Sequence, residues 1–223
     1  MKTIIQTTED GSHTLYVPEL DEHYHSTHGA IQESMHVYID AGLRHCDSAE
    51  INLLEIGFGT GLNAFLTLLE AEKMQKRIHY TTLELYPVSL SNAAALNFSD
   101  IIDPSGRDSF EKLHTAVWEE WVQISPFFWL KKLRMDLCDL PDTPPEKKFD
   151  LIFYDAFAPE KQPEMWREEI FSRLHAYSRD NAILTTYCAK GVVRRMLQSA
   201  GFTVERLPGP PGKREILRAK KYA

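Results

Sequence analysis

The sequence predicts an α/β fold with a mostly parallel sheet, and three observations carry that prediction. From about residue 51 onward, short β-rich apolar runs alternate with longer amphipathic stretches, the order produced when parallel strands are joined by crossover helices. The apolar run Leu53-Leu54-Glu55-Ile56 leads directly into Gly57-Phe58-Gly59-Thr60-Gly61 and then into a helical pattern, so a strand turns sharply into a helix there. A second buried run, Phe149 to Tyr154, ends on Asp155, which places an acid at the sheet edge where open α/β folds bind their ligands.

Taken in order, the first 50 residues read as a small N-terminal extension, a β-hairpin followed by a helix, suited to a substrate or cofactor wall. Residues 51–223 form the core. Strands are expected at 52–56, 79–85, 128–135, 149–154, 182–187, 203–207 and 215–219, each within ordinary strand length. Between them, helical periodicity predicts helices over 62–72, 90–96, 109–124, 163–176 and 190–200, the last closed by Gly201 as a C-terminal glycine cap. The final strand, Pro/Gly loop and strand predict an antiparallel hairpin closing the sheet.

A chain of 223 residues suits one large domain, and 43% hydrophobic residues provide for a real core rather than a disordered chain. No apolar run approaches the roughly 20 residues a membrane helix needs, and the opening MKTIIQTTEDGSHT offers no signal-peptide apolar region. No membrane association and a cytoplasmic location are therefore expected. Cys46, Cys138 and Cys188 show no CxxC spacing, which argues against disulfides and structural zinc. His23, His25 and His28 lie close in sequence but lack a convincing fourth ligand, so no metal is expected. Net charge is −7, yet from Lys190 onward nine Lys and Arg face two Glu, a distribution that can mark a face for phosphates.

The glycine turn supplies the first chemistry. A dinucleotide site needs a third glycine three positions after the second, and that position holds Leu62. Glu84 closes the second strand 23 residues beyond Gly61, where a carboxylate can accept from two ribose hydroxyls. Asp136 lies just past the third strand, either facing an adenine edge or capping a helix. A G-x-G-x-G turn with a preceding Glu and a later ribose acid resembles the S-adenosylmethionine pocket of class I methyltransferases, whose core is Rossmann-like.

The segment DAFAPEKQPEMW after the fourth strand joins Asp155 to aromatic surface at Phe157 and Trp166, suitable for a flat base or a cationic centre, or simply for core packing. With CAKGVVRRMLQSAGFTVERLPGPPGKRE, EIGFGTGLN and DEHYHSTHGAIQES, it resembles the MnmC-type tRNA 5-methylaminomethyl-2-thiouridine methyltransferases over about residues 21–218. The resemblance implies N-methylation of the aminomethyl group of 5-aminomethyl-(2-thio)uridine at the tRNA wobble position, with S-adenosyl-L-methionine as donor. It assigns Glu55, Gly57, Gly59, Gly61 and Asn63 to the methionine-bearing turn, Glu84 to the ribose, Asp136 to the adenine region and Asp155 to the transferred methyl and acceptor amine. Tyr24 is expected to close over the cofactor or substrate. In bifunctional members a flavin-dependent domain follows; the sequence stops soon after the KRE strand, so another enzyme is expected to supply the aminomethyl intermediate.

A carboxyl with a reference pKa of about 3.9 is a weak base for an ammonium, so Asp155 is expected mainly to orient the amine and stabilise the charge developing on nitrogen. Arg194, Arg195, Lys213 and Arg214 lead the expected tRNA contacts, with Phe157 and Trp166 against the base. Two other readings stay open: a small-molecule amine methyltransferase or aminopropyl transferase, and a non-catalytic nucleotide- or tRNA-binding module.

Overall fold

The computed structural model describes residues 2–222. Three antiparallel strands open the chain: β1 (Ile4–Thr7), β2 (His13–Val17) and β3 (Glu22–His23), with β2 central. At the first turn the Asp10 carboxylate accepts the Ser12 N–H at 3.0 Å and the Thr8 hydroxyl at 2.7 Å. Helix α1 (Ala30–Ser34) continues without a break into a wider π-helical segment, Met35–Asp40. Leu15, Val37, Tyr38 and Ile39 are buried in the same apolar cluster as Ile51 and Leu53, so this N-terminal region shares the core of the main sheet.

The main sheet has eight strands. Its parallel centre is β4 (Glu50–Ile56), β5 (Arg77–Leu83), β7 (Phe128–Leu133), β8 (Phe149–Tyr154) and β9 (Ser178–Thr186), with β6 (Trp121–Ser125), β10 (Thr203–Pro208) and β11 (Glu215–Lys220) completing it. The order is β10-β11-β9-β8-β4-β5-β7-β6. From β4 the chain moves outward through β5 to β7, then returns to place β8 on the other side of β4. Ligand crevices form at this reversal, beyond the carboxyl ends of the strands.

Alternation along the strands explains the two covered faces. Ile51, Leu53, Leu151 and Ile183 enter one buried cluster, with α2 (Leu62–Met74) and α5 (Arg107–Thr115); Leu54, Ile56, Ile152 and Leu184 enter the other, with α6 (Glu168–Tyr177) and α7 (Gly191–Ser199). The expected 90–96 helix forms as the short α3 (Leu90–Ala94), and a further short helix, α4 (Phe98–Ile102), follows it in the crossover between β5 and α5.

The expected hairpin forms, with β10 and β11 antiparallel, but β11 inserts between β9 and β10. Residues 109–124 do not make one helix. Helix α5 stops at Thr115, and β6 pairs antiparallel with β7. Buried Lys132 on β7 donates to the Leu113 and His114 carbonyls at 2.9 and 2.7 Å, satisfying helix-end acceptors from across the structure. Val117, Trp118, Trp121 and Val122 then suit an extended edge. The expected 163–176 helix also divides: a 3₁₀ turn, Pro163–Met165, is separated from α6 by Trp166 and extended Arg167. Burying Trp166 against Tyr154 and Phe171 sets that break.

Candidate active site

Four strand ends, those of β4, β5, β7 and β8, meet at the carboxyl edge. The Gly57 N–H donates to Leu83 O at 3.0 Å, Asp155 N–H to Ile56 O at 3.0 Å, and Glu84 N–H to Leu133 O at 3.0 Å. Gly57 has φ +89°, and a Cβ there would lie 2.7 Å from the Asp155 carbonyl, so this crossing admits no side chain. Gly59, at φ +51°, brings its backbone under the Tyr24 ring; a Cβ would meet that ring at 3.0 Å. The turn then enters α2.

Glu84 is fixed beside the turn by two backbone donors, Gly59 N–H at 3.0 Å and Tyr86 N–H at 2.7 Å. Burial pushes its carboxyl above the usual range, outweighing the lowering by those N–H groups. Asp136 caps the 3₁₀ turn Leu137–Asp139, accepting Cys138 N–H at 2.8 Å, and also lines the cavity. The capping reading of Asp136 holds, and the residue also stands where a ligand in the cavity can reach it.

Asp155 stands at the end of β8, one oxygen accepting from Tyr38 Oη at 2.5 Å and the other from Asn63 Nδ2 at 2.8 Å. Burial pushes its pKa up to about 7; the Tyr38 hydrogen bond opposes that shift, nearby Glu33 adds to it, and Asn63 and Lys213 lower it. Asn63 Oδ1 is buried with no hydrogen-bond partner among the described residues. Beyond Asp155, Lys213 Nζ lies 2.5 Å from Glu33 Oε1 and 4.7 Å from the Tyr187 ring centroid. The Tyr187 hydroxyl donates to Ala156 O at 2.9 Å.

A cavity of about 560 Å³ joins these groups, lined by Tyr24, Gly57, Gly59, Asn63, Glu84, Asp136, Asp155, Phe157, Tyr187, Glu33 and Lys213. Tyr24 and Phe157 meet edge to face at 5.1 Å across it. Other expected residues lie elsewhere. Glu55 is fully buried beneath the turn, accepting Thr82 Oγ1–H at 2.8 Å, and does not line the cavity. Gly61 begins α2 facing His114 and Phe58. Trp166 is buried and donates its indole N–H to Phe157 O at 2.7 Å, so it supports Phe157 from behind. Arg195 and Arg214 are exposed outside the cavity, while Arg194 is half-buried. Part of the C-terminal basic excess is paired internally: Arg206 with Glu215, and Arg218 and Lys220 with Glu205.

Sequence reasoning missed Tyr38, Glu33 and Tyr187. Glu33 lies within the quoted AIQES stretch, but nothing local marks it, and Tyr38 reaches Asp155 only through the fold. The three histidines have separate partners: His23 with Gln6, His25 with Thr60 and His28 with Glu9. Among the described residues no three His, Cys, Asp or Glu side chains gather as metal ligands, and no helix is long and apolar enough to cross a membrane.

A sequence profile of S-adenosyl-L-methionine-dependent methyltransferases matches residues 108–222. The chain belongs to this family. It is 33% identical over 217 residues to the tRNA 5-methylaminomethyl-2-thiouridine biosynthesis bifunctional protein MnmC of Leptospira borgpetersenii serovar Hardjo-bovis (strain JB197), covering 90% of this chain and 32% of that protein. The protein of the same name from Cupriavidus necator is 31% identical over 216 residues, covering 89% and 31%. The chain thus spans about a third of the length of these curated relatives. Among solved structures, MnmC2 from Aquifex aeolicus is similar with a TM-score of 0.81 and 26% identity, over 98% of this chain and 70% of that one. Spermidine synthase from Thermotoga maritima, at 12% identity and a TM-score of 0.58, shares the fold.

As a member of this family, the methyltransferase uses S-adenosyl-L-methionine, and the cavity fits that group. Its volume lies within the roughly 300–1,000 Å³ typical of small-molecule sites. The acceptors spaced along it, Glu84 and Asp136, match a donor carrying hydroxyls and an amino group.

Proposed function

We propose that the protein N-methylates the aminomethyl group of 5-aminomethyl-(2-thio)uridine at the wobble position of tRNA. The carrying observation is Asp155: a carboxylate raised toward neutrality, oriented by Tyr38 and Asn63, opening onto a cavity shared with the glycine turn. The role of the MnmC relatives in tRNA 5-methylaminomethyl-2-thiouridine biosynthesis supports the same substrate.

Bound S-adenosyl-L-methionine would be held by Glu84 at its ribose hydroxyls, by Asp136 at the adenine region and by the backbone of Gly57 and Gly59 at the methionine portion. When bound, S-adenosyl-L-methionine supplies an electrophilic methyl on a sulfonium. Tyr38 and Asn63 each hold one Asp155 oxygen, leaving lone pairs free toward the cavity. Asp155 accepts a proton from the incoming aminomethyl ammonium, and its raised pKa makes it a better match for this step than an ordinary carboxylate. The nitrogen lone pair is then free to take the methyl that the sulfonium would supply, S-adenosyl-L-homocysteine being the leaving group. Asp155 also fixes the nitrogen in line with the sulfonium–methyl bond, while Phe157 and Tyr24 provide apolar walls that exclude water. The product nitrogen gains a positive charge beside the site's carboxylates.

Arg194, Arg195 and Arg214 provide the cations for the tRNA backbone, and Lys213 stands at the cavity. The wobble base must leave its stack to reach Asp155. The amine is the product of an earlier reaction on the same uridine. Methyl transfer from labelled S-adenosyl-L-methionine to tRNA that accumulates the aminomethyl nucleoside tests this reading. Label recovered by mass spectrometry as the methylaminomethyl nucleoside is expected; cofactor binding with no labelled RNA would overturn it.

A further inference from the structure

Beyond Asp155, two charged side chains from opposite ends of the chain meet inside the cavity. Glu33 comes from α1 and Lys213 from the β10–β11 loop, with Nζ and Oε1 2.5 Å apart. Glu33 is buried, and its other oxygen accepts Ser26 N–H at 2.8 Å, which fixes the carboxylate plane. Lys213 rests on the Tyr187 ring, while its neighbour Gly212 is pressed so closely to His28 that a Cβ would fall 2.2 Å from the imidazole. Both partners are thus held in place. Desolvating such a pair offsets much of its attraction, so stability alone is a weak reason to build one at a cavity wall.

What the pair presents is a rigid donor beside a rigid acceptor. On a uracil ring, the edge next to the C5 substituent carries the O4 acceptor and then the N3–H donor; cytosine presents an amino donor and a bare N3 acceptor at the same positions. The aminomethyl group hangs from C5, adjacent to C4. A base whose amine meets Asp155 therefore turns O4 and N3–H toward the next groups along the wall.

We infer that Lys213 and Glu33 read the uracil edge of the acceptor base, Lys213 Nζ donating to O4 and the Glu33 carboxylate accepting from N3–H through Oε2, the oxygen not turned to Lys213. This rests on the reading of the acceptor as a 5-aminomethyluracil. Phe157 and Tyr187 offer aromatic faces against which the flat ring can lie. Glu33 and Lys213 are specificity residues here, with the methyl-transfer step left to Asp155.

Two synthetic anticodon stem–loops, identical except for 5-aminomethyluracil or 5-aminomethylcytosine at the wobble position, test the inference in the wild type, Glu33→Gln and Lys213→Gln. Wild type is expected to favour uracil by about 100-fold or more in kcat/KM, because cytosine leaves buried polar groups facing like partners. Glu33→Gln is expected to lower the uracil-to-cytosine ratio by about 10-fold, since its amide N–H can donate to cytosine N3. A ratio is unaffected by partial misfolding, and cofactor affinity should stay within about 2-fold. Equal use of both stem–loops by the wild type, or an unchanged ratio in both variants, would overturn base reading while leaving uracil methylation standing. Failure of the wild type to methylate either stem–loop would remove the acceptor reading itself, and this inference with it.

Discussion

The two halves of the cavity are built in different ways. One half, the glycine turn with Glu84 and Asp136, is supplied by the ends of β4, β5 and β7 and the segments that follow them, and backbone N–H groups do much of the orienting. The other half gathers Tyr38 from a π-helical segment, Asp155 from β8, Tyr187 from the end of β9, and Glu33 and Lys213 from opposite ends of the chain. Side chains orient side chains there. The contrast teaches that a cofactor can be held by local strand-to-turn geometry, whereas acceptor choice needs groups that only tertiary packing brings together.

The largest effect should fall on the second half. Asp155→Asn is expected to lower kcat by about 1,000-fold with cofactor affinity within about 2-fold, measured by single-turnover methylation and calorimetry. Equal damage to cofactor binding would erase the distinction between the halves. The same variant should gain stability. Because the folded Asp155 pKa of about 7 lies above its unfolded value, the native state binds the proton more tightly; that contribution is full below about pH 4 and lost as pH rises toward 7. Asn carries no such charge, so denaturant unfolding at about pH 8 should show Asp155→Asn more stable by on the order of 2–4 kcal/mol, the gain vanishing near pH 4.

Glu84→Ala probes the first half. Its expected result is a 10- to 100-fold rise in the Kd for S-adenosyl-L-methionine, from lost charge-assisted hydrogen bonds, with a smaller change in kcat at saturation. Tyr38→Phe should then cost about 10-fold in kcat and move the acidic limb of the pH–rate profile upward, since the Tyr38 hydroxyl lowers the Asp155 pKa. An unmoved limb would show that Tyr38 only packs. Smallest of all, Arg195→Ala with Arg214→Ala should weaken tRNA binding by a few-fold and flatten its salt dependence by about two phosphate contacts, without changing cofactor affinity.

How legible each half was follows from the same contrast. Gly57, Gly59, Glu84 and Asp155 were readable because a strand ending in glycine or acid announces itself within a few residues. Glu55 belongs to that local pattern but points beneath the turn to Thr82, and Trp166 shares the Asp155 segment but is consumed by packing behind Phe157. Proximity in a motif did not specify side-chain direction. The boundary errors have a similar origin: α5 ends where Lys132, 17 residues beyond Thr115, captures its last carbonyls, so helical propensity over 109–124 was overruled from a distance.

By itself the sequence determined the sheet's parallel core, the glycine turn and the acids at the strand ends, because alternation of apolar residues and the freedom of glycine act over a few neighbours. Only the tertiary structure decided which acids are raised by burial, and that Asp155 among them meets Tyr38 and lies near Lys213. Desolvation and hydrogen bonding depend on every element packed around a group, and those elements meet only once the chain has folded.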